Sequence, residues 1–411
     1  MKKHIKKFLI IIYRYMVRVF PLNREKVMFM SNMGRNYSGN VRAIFEKMKE
    51  DARFSKHKKI WAFNGDFFAN VKKYGKTMLP KGCKIVRYGG IRYYYHMATS
   101  GIWIFDTRQE PYLIKRKGNI YFQTWHGTPL KKLGLDIEEM KMAGEDRTVR
   151  DYRISFLEES AKWDYLLVQN DFSETVLPKC FGFRNKIVKA GYPRNDVLAG
   201  QTHINSGKRK KVLLYAPTWR DNEYLGGGFY KCPSRPDFKK LEKELGRDFV
   251  IIVKLHYLVK LKKGDIPEEC IKSGFVRVLG NEKDIMELYL KADGLITDYS
   301  SVFFDYSILE RPMFFFCYDL EEYRDELRGF YLDFEKVAPG PISTSEDELV
   351  RDIRQVFDGF TPDKNGSMPD KSHENGYEEG WLRRLREFKK WFNEYDDGHA
   401  SERVLDVISS H

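Results

Sequence analysis

Residues Tyr121–Gly134 read YFQTWHGTPLKKLG, and the parsing of this stretch decides the fold. An apolar, β-prone run through Ile120, Tyr121 and Phe122 stops at Trp125-His126-Gly127-Thr128-Pro129, and a lysine-bearing segment follows. A strand, a tight loop and a helix start, in that order, mark the place where open α/β sheets keep their chemistry, outside the carboxyl ends of the strands. A histidine there can act as a base near neutral pH. Gly127 lets backbone N–H groups come close to a ligand, and Pro129 fixes the loop exit. Taken alone, His126 is more simply read as a ring packed under Trp125, because one motif histidine decides little.

Outward from this stretch, short apolar runs alternate with amphipathic segments. The strand candidates are Val27–Met30, Ile60–Phe63, Lys84–Tyr88, Gly101–Phe105, Asn119–Gln123, Tyr165–Val168 and Lys186–Ala190. A second series follows at Lys211–Tyr215, Phe249–Lys254, Val276–Leu279, Gly294–Thr297 and Met313–Cys317. Near-continuous apolarity within each run predicts parallel strands buried on both faces. Their alternation with helical patterns predicts an α/β protein of βαβ units. Leu198–Lys210 is polar, rich in Gly and Lys, and without periodicity, which reads as a joint. The expectation is two Rossmann-like doubly wound domains, residues 27–200 and 208–357, facing a central cleft. Residues 1–26 form a basic amphipathic segment. In the tail, 358–411, a polar loop (Asp358–Asn375) precedes an amphipathic helix. Trp381, Leu382, Leu385, Phe388, Trp391 and Phe392 recur there at helical spacing, and the helix is expected to pack across the joint.

The 411 residues are 42% hydrophobic and 15% aromatic, which provides real cores and excludes disorder over most of the chain. The net charge of +14 predicts attraction to polyanions. Residues 1–26 carry eight Lys/Arg against Glu25 alone, half of the whole excess. Arg14 interrupts the apolar run far short of the roughly 20 residues needed to span a bilayer. No small-residue cleavage site follows it. The segment reads as a helix lying on an anionic cytoplasmic membrane surface, with a helix docked on the protein as the plainer alternative. The five scattered cysteines suggest neither a disulfide framework nor a zinc site and fit a reducing compartment. No interleaved aromatic and basic module for nucleic acid is visible.

Four more polar stations follow apolar runs: Gly191–Asp196 (GYPRND), Pro217–Asp221 (PTWRD), Lys254–His256 (KLH) and Thr297–Ser301 (TDYSS). Ser300 or Ser301 is a good helix N-cap, and the first helical N–H groups then face an anion. Asp305, one turn further, can accept a hydroxyl hydrogen bond. Arg194 and Arg220 offer planar forks for phosphate, and Lys254 a compact charge. Singly, each is more simply a helix cap or a solvated cation. Jointly they make a cationic, hydroxyl-rich set that suits a pyrophosphate without a metal. No D-x-D or clustered His/Asp pattern is present, so neither metal nor cofactor is expected. Phosphoryl transfer asks for such positioning and charge neutralisation, plus a base for the attacking hydroxyl.

WHGTPLKKLG, GYPRND, YAPTWRDN, KLH and TDYSSVFFDYSILERPMFFFCYDLEEYRDELRGFYLDFEKVAPGP together resemble the CDP-glycerol glycerophosphotransferase family, whose members build wall teichoic acid and related phosphopolyol capsules. The resemblance covers roughly residues 115–345. It implies a GT-B-like fold and a peripheral location on the cytoplasmic face of the bacterial membrane. It also implies a CDP-glycerol or CDP-ribitol donor and a lipid-linked acceptor. By the same resemblance His126 matches the family's catalytic base and His256 its second histidine. Trp125, Gly127, Thr128 and Pro129 match the loop around the donor's glycerophosphate, and Arg194, Trp219 and Arg220 fall at donor contacts. Lys254, His256, Ser300 and Ser301 match pyrophosphate ligands, and Asp305 a polyol or nucleotide contact. Tyr257 stands where the family usually has proline. A chain of this length is short for the family's polymerases, which tilts the expectation towards single additions. A GT-B glycosyltransferase using a nucleotide sugar is the nearest rival, and a non-enzymatic basic binding protein a more distant one.

Overall fold

In the computed structural model, residues 2–139, 148–201, 209–220, 222–226, 228–233, 235–280, 283–327, 329–358 and 376–411 are described. Every strand candidate singled out in the sequence becomes a strand. The chain divides into two units, the first comprising 1–126, 150–196 and 395–411, the second 127–149 and 197–394.

The first unit holds β1 (Asn23–Met30), β2 (Lys58–Phe63), β3 (Lys84–Arg87), β4 (Ser100–Phe105), β5 (Ile120–Gln123), β6 (Tyr165–Val168) and β7 (Lys186–Lys189). They form one sheet in the order β3-β2-β1-β4-β5-β6-β7, parallel throughout. Helices cover both faces, so the central strands are buried along their length, the cause of their unbroken apolarity. On one face Phe29 stacks on Trp61 and Trp61 on Phe63, with ring centroids 5.7 and 5.4 Å apart. Val41, Ile44, Phe45 and Met48 of the helix Gly39–Glu50 close over them. The C-terminal helix Ala400–Ser409 adds Val404, Leu405 and Ile408 to the same core. Each such side chain contributes roughly 1.5–3 kcal/mol over its exposed state.

The second unit holds β8 (Lys211–Tyr215), β9 (Tyr224–Gly226), β10 (Phe229–Lys231), β11 (Phe249–Val253), β12 (Val259–Lys260), β13 (Val276–Val278), β14 (Gly294–Thr297), β15 (Met313–Phe316) and β16 (Ile342–Ser343). Its main sheet runs β13-β11-β8-β14-β15-β16, again parallel. The small sheet β12-β10-β9 and the edge strand β16 are not foreseen in the sequence, since two or three residues are too short to show a period.

Three expectations need correction. The chain passes between the units at 126/127, 149/150, 196/197 and 394/395 rather than through a single joint. No helix starts after the WHGTP loop: Leu130, Lys131 and Lys132 instead pair their backbones with Tyr331, Phe330 and Gly329, which leaves only a short 3-10 turn at Gly134–Asp136. The tail helix (Gly376–Phe392) packs inside the second unit. There Phe388 lies 5.5 and 5.3 Å from Phe303 and Phe304, and Phe392 lies 5.0 Å from Phe304. Most of the expected joint and of the tail loop, residues 202–208 and 359–375, lies outside the described residues, as does Asp221.

Candidate active site

In the first unit, three neighbouring strands, β1, β4 and β5, end around His126. After β5 the chain turns through Trp125, which holds a left-handed φ of +49°, a conformation costly for a bulky residue and kept only where the surroundings impose it. They do so here. Trp125 is 8% exposed, its ring lies 4.5 Å from Phe181, and its N–H donates to Gln123 Oε1 at 3.0 Å. This turn brings the His126 ring to the surface, 4.4 Å from the indole.

His126 Nδ1 lies 2.8 Å from the backbone oxygen of Asp106, just past β4. A carbonyl can only accept, so Nδ1 carries the proton of the neutral ring and Nε2 keeps its lone pair. Crowding by protein disfavours the imidazolium, and Arg194 adds to that, against the pull of the Asp106 carbonyl, so the pKa is held below the ordinary imidazole value. His126 is nonetheless exposed at the surface. The result is a neutral imidazole with a defined proton-accepting atom.

Arg194 Nη1 donates to the His126 carbonyl at 2.8 Å, and its guanidinium lies 4.7 Å from the Tyr192 ring. Asn40, 1% exposed, joins the two loops: its amide donates to Trp125 O at 3.3 Å and its Oδ1 accepts from Arg194 N at 3.3 Å. Asp106 accepts from Asn32 N at 2.8 Å, and burial pushes its carboxyl up to about 7. The sequence reading missed Asn40 and Asp106. Asp106 carried a signal, a polar residue directly after the apolar run Gly101–Phe105, whereas Asn40 carried none.

In the second unit, Gly127, Thr128 and Pro129 are buried. A Cβ on Gly127 would stand 2.9 Å from Ser301 Oγ, so glycine is what permits this approach. Lys131, also missed, donates to Thr218 Oγ1 at 3.3 Å and lies over the rings of Trp219 and Tyr323 at 5.7 and 4.8 Å. Gly127–Lys131 thus lie at the ends of β8 and β14.

His256 follows β11 and lies against Trp219 at 4.1 Å and Tyr257 at 4.2 Å. Its Nδ1 accepts from Leu258 N at 3.3 Å, so the neutral ring bears its proton on Nε2. The two histidines therefore hold opposite tautomers, His126 presenting an acceptor and His256 a donor. Ser301 occupies the N-cap position of the short helix Val302–Tyr306, yet its side chain makes no capping bond, contrary to the capping reading. Ser300 precedes it, half-buried.

The remaining residues are placed differently from the expectation. Arg220 is 4% exposed and already engaged. It donates to Asp298 at 2.8 Å, to both oxygens of Asp319 at 2.6 and 3.0 Å, and to Thr218 O at 2.9 Å. Burial opposes its charge, but Asp298 and Asp319 outweigh that and raise its pKa. It is a buried clasp across the ends of β8, β14 and β15 rather than an open phosphate fork. Lys254 Nζ is tied to the backbone oxygens of Gly280 and, at 3.0 Å, Lys283. Asp305 is 4% exposed, so little of its carboxylate faces solvent. Among the described residues no cluster of three His, Cys, Asp or Glu could hold a metal.

Residues 11–410 match the family model of CDP-glycerol:poly(glycerophosphate) glycerophosphotransferase. The chain is 39% identical over 346 residues to the teichoic acid poly(glycerol phosphate) polymerase of Bacillus subtilis, covering 82% of this chain but 44% of that one. It is 36% identical to the polymerase of the same description from Bacillus spizizenii, with 85% of this chain and 89% of that one covered. The teichoic acid glycerol-phosphate transferase of Staphylococcus aureus is 34% identical, with 94% and 93% covered. Among solved structures, a variant of the wall teichoic acid polymerase TagF soaked with CDPG superposes with a TM-score of 0.80 at 31% identity, covering 98% of this chain and 93% of that one. A Listeria monocytogenes protein described as a UDP-N-acetylglucosamine 2-epimerase shares the fold alone, with a TM-score of 0.53 at 12% identity. The chain belongs to the CDP-glycerol:poly(glycerophosphate) glycerophosphotransferase family and is a glycerophosphotransferase of teichoic acid biosynthesis.

Proposed function

We propose that this chain transfers glycerol phosphate from CDP-glycerol to a terminal hydroxyl of a lipid-linked acceptor and releases CMP. The observation that carries the reading is the hydrogen bond from His126 Nδ1 to Asp106 O, which leaves Nε2 as the proton acceptor. In the proposed step Nε2 takes the acceptor's hydroxyl proton. The oxygen forms a bond to the glycerol-bearing phosphorus, the bond to the bridging oxygen breaks, and CMP leaves. His256 Nε2–H, Ser300 and Ser301 meet the charge that builds on the pyrophosphate. Arg220, with Asp298 and Asp319, keeps their loops in place, and Arg194 holds the His126 turn. The GT-B-like cleft expected from the sequence belongs to this proposal. No metal step is required by it.

Glycerol is preferred over ribitol because the four relatives that are 34–39% identical over 82–94% of this chain are all named for glycerol phosphate, whereas the ribitol-phosphate relatives of comparable coverage are 26–29% identical. A peripheral place on the cytoplasmic membrane face is supported by the helix Lys2–Val19. Tyr13 docks it on the first unit while Ile5, Phe8, Ile11, Tyr15 and Val19 stay more than half exposed. No described helix is long and apolar enough to cross a membrane.

His126→Ala, assayed for CMP release with CDP-glycerol and a lipid-linked acceptor, is expected to lose roughly 10²–10⁴-fold in kcat. Turnover within about tenfold of wild type would remove His126 as the base.

A further inference from the structure

A groove of about 880 Å³ lies at the amino-terminal edge of the first unit's sheet, where β1, β4, β5, β6 and β7 begin. His126 lies beyond the opposite edge. Ile120 lines the groove and His126 comes six residues later, roughly 20 Å at the rise of an extended chain. Whatever the groove holds is not the reacting phosphorus.

Its floor is apolar, with Phe54, Ile102 and Ile408, and its rim is cationic. Arg24 and Lys186, both exposed, have no carboxylate partner among the described residues. Lys115 is paired with Asp164 at 2.9 Å, leaving Glu25 as the other carboxylate of the lining. The adjoining sheet edge is also held positive at a cost. Lys26 on β1 stands directly opposite Lys58 on β2, an arrangement that destabilises a strand pair. Two buried polar atoms of the lining residues have no partner among the described residues: Asn119 Oδ1, on a side chain 3% exposed, and His57 Nδ1. The other end of the Asn119 amide is fixed, donating to Ser100 O at 2.9 Å. An unpaired carbonyl oxygen suits a hydroxyl donor, and dispersed cations suit charges repeated along a chain better than one compact phosphate.

We infer that this groove is a second, non-catalytic site that binds a polyol-phosphate phosphodiester chain, cations to phosphates and Asn119 to a polyol hydroxyl. The inference rests on the proposed function, since the ligand has the chemistry of its acceptor or product. The site holds the chain away from the reacting end, so its effect falls on affinity for long acceptors.

The test uses the full chain without donor and a synthetic phosphodiester-linked glycerol-phosphate hexamer, measured by calorimetry at low salt. Arg24→Gln with Lys186→Gln is expected to weaken hexamer binding about tenfold. It should raise KM for a long acceptor and leave kcat on a single-unit acceptor unchanged. Lys243→Gln with Arg247→Gln, which removes the same charge from the exposed surface of the second unit, should change neither. Equal hexamer binding by wild type and the groove variant overturns the inference, as does equal weakening by the control variant. If the groove variant loses binding to vesicles of anionic phospholipid while keeping the hexamer, the groove serves headgroups and the inference is again overturned. Hexamer binding lost to inorganic phosphate at matched concentration marks a simple anion site and also overturns it. Failure of wild-type CMP release from CDP-glycerol would sink the functional reading alone, because hexamer binding is read without donor.

Discussion

The two histidines of this molecule are built by different physics. His126 sits in a setting made of backbone: a left-handed tryptophan turn, a carbonyl acceptor from Asp106, and Asn40 linking two loops. His256 sits on aromatic rings beside a buried ionic clasp, Arg220 with Asp298 and Asp319. The first arrangement keeps a ring neutral and points a lone pair outward. In the proposed function the second fixes the loops that meet the donor. A proton acceptor and a proton donor are thus distinguished by which ring nitrogen the backbone claims, not by residue type.

The clasp offers the largest way to break this comparison. Arg220→Ala leaves the buried Asp298 and the half-buried Asp319 without their cation and should cost the second unit about 3–5 kcal/mol in a denaturant or thermal melt. A loss under about 1 kcal/mol would mean that the guanidinium is not structural and would return it to the ligand-binding set. Next in size, His256→Ala should lower kcat by roughly 10²–10³-fold, the effect of removing one donor to a developing charge. His256→Gln, which can still donate, should recover part of it, while an effect on KM alone would mean a ground-state contact. Smaller again, Gly127→Ala forces a methyl to within 2.9 Å of Ser301 Oγ and should reduce kcat/KM roughly 10- to 100-fold by displacing the loop. Full activity in that variant would show that the approach of loop to serine does not matter.

How far the sequence disclosed these arrangements depends on what kind of force built them. Parallel strands covered on both faces must be apolar throughout, so runs such as Tyr165–Val168 and Gly294–Thr297 were legible to the residue. The crossing after His126 was not. It is set by backbone pairing of Leu130–Lys132 with Gly329–Tyr331, some 200 positions away, and backbone bonds leave no mark on side-chain pattern. His126, Gly127 and Ser301 were legible as motif residues at strand ends. Arg220 and Lys254 were legible as cations, but what they would bind was not, because their partners come from other strand ends. Asp298 lay inside the TDYSS motif and gained its meaning only when β8 and β14 were seen to be neighbours.

The central claim is that His126 is a neutral base whose Nε2 is free to take a proton because Asp106 O holds Nδ1–H. A ¹⁵N NMR titration of the histidine side chains, with His126 assigned by its loss in His126→Gln, reads both properties at once. The account predicts an Nδ1–H tautomer that persists as the pH falls, with protonation only below the ordinary imidazole value of about 6.5. A neutral ring protonated on Nε2, or a midpoint above that value, would contradict it.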